Sequence, residues 1–143
     1  MSRFLQILES IFQKRILPLF LSVSIIIDYT LTFYFADSIK EILENEFSPI
    51  LLFAIENNVV IPYFIVIVFF YYGISYSVLK ALEGTKLYYF GASIILLMSI
   101  THFLGGMSWY IRETYYSNAI FTLSMVSILF ALGLFGYEII RID

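Results

Sequence analysis

Hydrophobic runs of about twenty residues, separated by short polar stretches, set the pattern of this chain. Four of them, 16–36, 59–79, 87–106 and 119–137, are each long enough as helices to cross a hydrocarbon core of about 30 Å. Ahead of the first, Phe4, Ile7, Leu8, Ile11 and Phe12 recur at helical spacing, with Arg3, Gln6, Glu9, Gln13 and Lys14 on the opposite face. That stripe predicts an amphipathic helix over 1–15 lying in the membrane interface. No small-x-small cleavage site follows the first apolar run, so the segment is expected to be retained. The expected fold is all-α: a polytopic four-helix membrane bundle, with that N-terminal interfacial helix, a structured outer loop and one transmembrane domain over 16–143.

The stretch 37–58, between the first two runs, is too long for a simple turn. Residues 38–45 read as one helical excursion. Ser48 reads as an N-cap with Pro49 at the first helical position, which opens a short apolar helix over 50–55. Asp37, Glu41, Glu44, Glu46 and Glu56 against Lys40 give this loop a net charge of −4.

Composition sharpens the picture. Hydrophobic residues make up 61% of the chain and charged residues 13%, where soluble domains carry roughly 25% charged residues. The net charge of −3 leaves no basic footprint, so nucleic acid is not an expected partner. There is no cysteine, which excludes disulfides, thiolate catalysis and cysteine-held metal or iron–sulfur centres. Lys and Arg set the orientation. Arg3, Lys14, Arg15, Lys80, Lys86 and Arg141 lie on one side, and only Lys40 and Arg112 on the other. The positive-inside rule then places both termini in the cytoplasm, as a multi-pass protein of the cell membrane.

The residue that most needs a reason is Asp28, an acid within the first apolar run, because a carboxylate there is expensive. Ser24, Asp28 and Thr32 are four apart and form one polar stripe. At about 1.5 Å per residue, Asp28 sits roughly 12 Å below the outer end of its span. His102, the only histidine, falls at a similar depth in the third span, with Ser99 beside it; Thr122 and Ser124 enter from the outer end of the fourth. The expected binding set is therefore Asp28, Thr32, His102, Glu46, Ser24, Ser99 and Thr122, gathered under the acidic loop. No Lys or Arg lies within a span, so Asp28 is protonated, hydrogen-bonded to hydroxyls, paired with His102 or bound to a cation. The plainer alternative is an acid that only fixes helix packing. If a metal binds, its ligands would be Asp28, His102 and Glu46, although no local metal motif is present. No cofactor is indicated. Gly73-x-x-x-Ser77 and Ser127-x-x-x-Ala131 are small-residue pairs of the kind that let helices approach.

Residues Asp28-Tyr-Thr-Leu-Thr32 and Glu46-Phe-Ser-Pro49 resemble a family of small prokaryotic four-span membrane proteins. That family carries Asp-x-x-x-Thr in its first span and Glu-x-Asn-Pro before the next hydrophobic stretch. The resemblance covers roughly residues 20 to 60, with Ser48 standing at the Asn position. It implies that Asp28, Thr32, Glu46 and Pro49 act as one constellation, and it supplies no activity.

Three functions follow as expectations. The first is a membrane protein whose outer-half polar site binds or passes a small cation, proton or solute. The second is an accessory subunit of a larger membrane complex. The third is an intramembrane metal-dependent enzyme, ranked last because no nucleophile motif is present. The partners expected are the lipid bilayer and either further copies of the chain or a larger membrane complex.

Overall fold

The computed structural model describes residues 12–142, which fold into six helices joined by short links, with no strand among the described residues. The helices are α1 (Ile16–Phe35), α2 (Ile39–Asn45), α3 (Pro49–Glu56), α4 (Val60–Ala81), α5 (Tyr88–Ile111) and α6 (Thr114–Ile142). α1, α4, α5 and the stretch Thr114–Leu134 of α6 are each long and apolar enough to cross a membrane. The interfacial helix expected over 1–15 lies, as far as residue 11, outside the described residues.

The loop helices form where their start signals stand. Ser38 accepts a hydrogen bond from the Glu41 backbone N–H at 3.2 Å, while the Glu41 carboxylate accepts one from the Asp37 N–H at 2.6 Å. Two free donors at the start of α2 are thus satisfied by one Ser-x-x-Glu run. Ser48 does the same for α3, accepting from the Leu51 N–H at 3.3 Å, with Pro49 at the first position. Replacing Ser48 by alanine is expected to destabilise the protein by about 1 kcal/mol, the usual worth of such a cap. Thermal unfolding in detergent is the check; an unchanged midpoint would mean that packing alone holds α3.

The four long helices are not equivalent. Among the described helices, α1 and α5 form the central pair, α4 packs mainly on α1, and the backbone of α6 runs beside that of α5 alone. Within the most apolar window of each helix, 44% of α1 and 39% of α5 is buried, against 11% for α4 and for α6. Leu17, Leu21 and Ile25 of α1 meet Ala92 and Ile95 of α5 and Leu79 of α4 in the core. Ile42 of α2 and Leu51 and Ile55 of α3 join the same cluster, which seats the loop helices on the ends of the long ones. At the opposite end Lys14 pairs with Glu83, and the Tyr88 hydroxyl donates to the Phe12 carbonyl at 2.7 Å.

Two helices run further than the apolar runs suggest. α5 continues through Gly105 and Gly106 to Ile111; both glycines lie against Asp28 of α1, and at Gly106 a bulkier residue would not fit. α6 begins at Thr114, so its first turns carry Thr114, Ser117 and Asn118. Only Arg112 and Glu113 separate the two helices. Arg112 takes the left-handed conformation (φ 56°) that ends α5. A non-glycine residue there carries a strain of roughly 1–2 kcal/mol. Its guanidinium donates to the Phe35 carbonyl at 2.7 Å and to Asp37 at 3.1 Å, which ties the turn to the end of α1.

Candidate functional site

α1 and α5 approach most closely where Asp28 meets Gly105 and Gly106. A methyl group added at Gly106 would lie 2.8 Å from the Asp28 Cα and 3.0 Å from its carbonyl oxygen. One added at Gly105 would reach only the Asp28 carboxylate, at 3.4 Å. This approach lets the side chain three residues earlier on α5, His102, meet Asp28, with Nδ1 2.8 Å from Oδ2. When Nδ1 donates that bond, Nε2 carries the lone pair of the neutral ring, so the carboxylate fixes both tautomer and orientation. The Tyr71 ring of α4 stands edge-on to the imidazole, with centroids 5.7 Å apart. Two turns from Tyr71 along α4, the Tyr63 hydroxyl joins that of Tyr29, the residue after Asp28, at 2.7 Å.

The pair lines a cavity of about 590 Å³. Its floor is Asp28 and His102; Tyr63, Ile67 and Tyr71 of α4 form one wall, and the first four turns of α6 form the other. Glu46 and Phe47, in the link between α2 and α3, cover the end, and the Phe47 ring meets Phe121 of α6 at 4.9 Å. The lining carries four carboxylates, Asp28, Glu41, Glu46 and Glu113, and one Lys or Arg, Arg112. Arg112 is engaged by Asp37 and by the Phe35 carbonyl.

Burial pushes the Glu46 carboxyl above its ordinary value of 4.5. The Ser48 backbone N–H, bonded at 2.9 Å, opposes that shift, and the charge of Asp28 adds to it. A carboxyl with a raised folded value holds its proton more tightly folded than unfolded, so stability falls as pH rises from 4.5 through the raised value. Glu46→Gln is expected to remove that slope, matching wild type in acid and exceeding it at neutral pH. Asp37 acts in the reverse sense, since the Arg112 hydrogen bond lowers its carboxyl, but it is fully exposed and common to both proteins. Melting midpoints across the acid-to-neutral range decide the matter, and parallel curves would rule out a burdened Glu46.

Of the residues expected to form the site, Asp28, His102 and Glu46 line this cavity and Ser24, Thr32, Ser99 and Thr122 do not. The hydroxyls of those four turn back onto their own helices. Ser24 donates to Phe20, Thr32 to Asp28, Ser99 to Ile95 and Thr122 to Asn118, each to a carbonyl at 2.8–3.0 Å. Thr32 therefore bonds the very Asp28 carbonyl that Gly106 lies against, which places it at the helix crossing. Pro49 also lines the cavity, so three of the four residues in the Asp-x-x-x-Thr and Glu-x-Asn-Pro resemblance share it. Among the described residues, no three His, Asp or Glu side chains come together in a group able to hold a metal ion. Asp28 and His102 thus form a pair, with Glu46 a separate acid above it.

The lining also includes residues the sequence reading passed over: Tyr29, Tyr63, Tyr71, Gly105 and Trp109. The signal was present for two of them, since Tyr63 and Tyr71 flank Ile67 at four-residue spacing on one face of α4. No protein-family model, curated protein or solved structure matches the chain.

Proposed function

We propose that the chain is an integral membrane protein whose cavity binds a small cation or cationic solute, with Asp28 and His102 as its polar floor and Glu46 as its cover. The observation that carries this reading is the 2.8 Å Asp28–His102 contact at the base of a lined cavity with an excess of acids. A pair that served only to join two helices has no need of open space beside it. The distribution of Lys and Arg supports a cavity facing outward, with both termini in the cytoplasm.

Trp109 is the only tryptophan and lines the cavity, so its emission reports on occupancy. Sodium, potassium, magnesium and methylammonium, titrated separately into protein in mild detergent, test the reading. A saturable change with at least one of them, weakened about tenfold (roughly 1.4 kcal/mol) in Asp28→Asn, is the expected result. Emission indifferent to all four, or a response that Asp28→Asn leaves intact, would remove the binding role. A second reading, an accessory subunit, draws support from the small buried share of α4 and α6. A stoichiometric partner retained through gentle purification would favour it.

A further inference from the structure

α4 and α6 both line the cavity, yet among the described residues their Cα atoms nowhere come within 8 Å of one another, and their side chains gather only at the far end, where Val78 and Leu82 cluster with Leu134. α1 and α5 close its floor and the α2–α3 link closes one end, so the cavity lacks a wall on the side away from the central pair. Along α6 the lining alternates between Ser117, Ser124 and Ser127 and the open apolar side chains Phe121, Met125 and Ile128, which are 39%, 40% and 40% exposed. In a bilayer this gap faces hydrocarbon. The lining is also graded along its length. Glu46, Glu41 and Glu113 lie at the loop end, whereas Ile67, Met98, Met125 and Ile128 line the deeper part.

We infer that the occupant of this cavity is a long-chain ammonium amphiphile that enters sideways from the bilayer between α4 and α6, its head at Asp28 and Glu46 and its chain along Met125 and Ile128. The inference rests on the cation-binding reading above and names the class of ligand. A small hydrated ion makes no use of the apolar wall and would face hydrocarbon through the open side. An anionic head meets four carboxylates and an Arg112 already committed to Asp37 and Phe35. An ammonium head on an alkyl chain satisfies both halves of the lining, because cationic charge meets acids and methylenes meet apolar side chains.

The test uses the full chain in vesicles of digalactosyl diacylglycerol, a lipid with no ammonium head, with Trp109 emission as the readout and three probes: dodecylamine, butylamine and dodecanol. Dodecylamine is expected to saturate at a concentration at least about tenfold lower than butylamine. Dodecanol should produce no response. Met125→Phe narrows the gap without touching the acids, and it is expected to erase the dodecylamine advantage over butylamine. Ser124→Phe is the second variant should the first fail to fold. An advantage that survives both substitutions would mean simple enrichment of the amine in the membrane, and sideways entry would be overturned. Equal responses to the two amines would also overturn it and leave the cation site standing, whereas silence toward both would fell the underlying reading. Dodecanol matching dodecylamine would overturn the ammonium head.

The chain has no native cysteine, so Ile128→Cys also asks whether a second copy fills the gap. Efficient disulfide dimers that no longer respond to dodecylamine would replace the amphiphile with another copy of the chain. Adding phosphatidylethanolamine to these vesicles identifies the source. A suppressed dodecylamine response supports the lipid headgroup as the native ammonium, and an undiminished one supports a free amphiphile.

Discussion

His102→Leu is expected to destabilise the protein by about 2–4 kcal/mol, a loss above the roughly 1.7 kcal/mol ceiling of neutral hydrogen bonds between membrane helices. The reason is asymmetry. The pair joins α1 to α5 through side chains that are only 17% (Asp28) and 24% (His102) exposed, and removing the imidazole leaves the carboxylate with no partner in a mostly apolar setting. Breaking one member of a buried ion pair in soluble proteins costs about 3–5 kcal/mol, and a carboxylate that loses a neutral imidazole falls toward the lower side of that range. Removing both members should be far gentler, so Asp28→Leu combined with His102→Leu is expected to recover at least half of the loss. Asp28→Asn keeps a bond to His102 and should sit between wild type and the single leucine variant. Reversible unfolding in mixed micelles measures all four proteins. A double variant as unstable as the sum of its singles would show that the two residues act separately.

A methyl group at Gly106 has nowhere to go. It would stand 2.8 Å from the Cα and 3.0 Å from the carbonyl oxygen of Asp28, both backbone atoms that no rotamer change can move. Gly106→Ala must therefore push α1 from α5, and such overpacking destabilises by about 1–3 kcal/mol. It should also lengthen the Asp28–His102 contact, because His102 lies one turn away. Gly73→Ala and Gly133→Ala supply the contrast. Nothing lies within 4 Å of either added carbon. Helix propensity then dominates, and each is expected to be neutral or to stabilise by up to about 1 kcal/mol. The three variants side by side separate a helix crossing from a general intolerance of alanine, and equal losses at all three would refute the crossing.

Those glycines also mark what the amino-acid sequence makes legible. Depth was readable: counting rises along two apolar runs set Asp28 and His102 at one level and made their pairing one of four states open to Asp28. Caps were readable too, since Ser38, Glu41, Ser48 and Pro49 act within a few residues of themselves and need no tertiary information. Rotation was not. A polar stripe four residues apart drifts about 40° per step on a helix of 3.6 residues per turn. Ser24 and Thr32 consequently leave the direction of Asp28, and their hydroxyls bond their own backbone instead. The hydrophobic count likewise missed the polar start of α6, whose Ser117 and Asn118 help line the cavity. Serine in a helix says nothing about its neighbours until the opposite surface is known. The Gly73-x-x-x-Ser77 spacing looked like a contact surface, yet the tight approaches fall at Gly91 and Gly106.

The distance along the chain between Asp28 and its partner has a consequence for biosynthesis. The two residues are 74 positions apart, and a ribosome adding about 5–20 residues per second needs some 4–15 seconds to cover that interval. For those seconds α1 must wait at the translocon with its carboxylate unmatched, because α4, which emerges in between, brings no imidazole. α5 then delivers His102 and both glycines in a single pass. α6 follows after only two residues, and the helix its backbone runs beside is already in place. Insertion order thus makes the third long helix the committing step, and a nascent chain halted before it would carry an acid that quality control can detect.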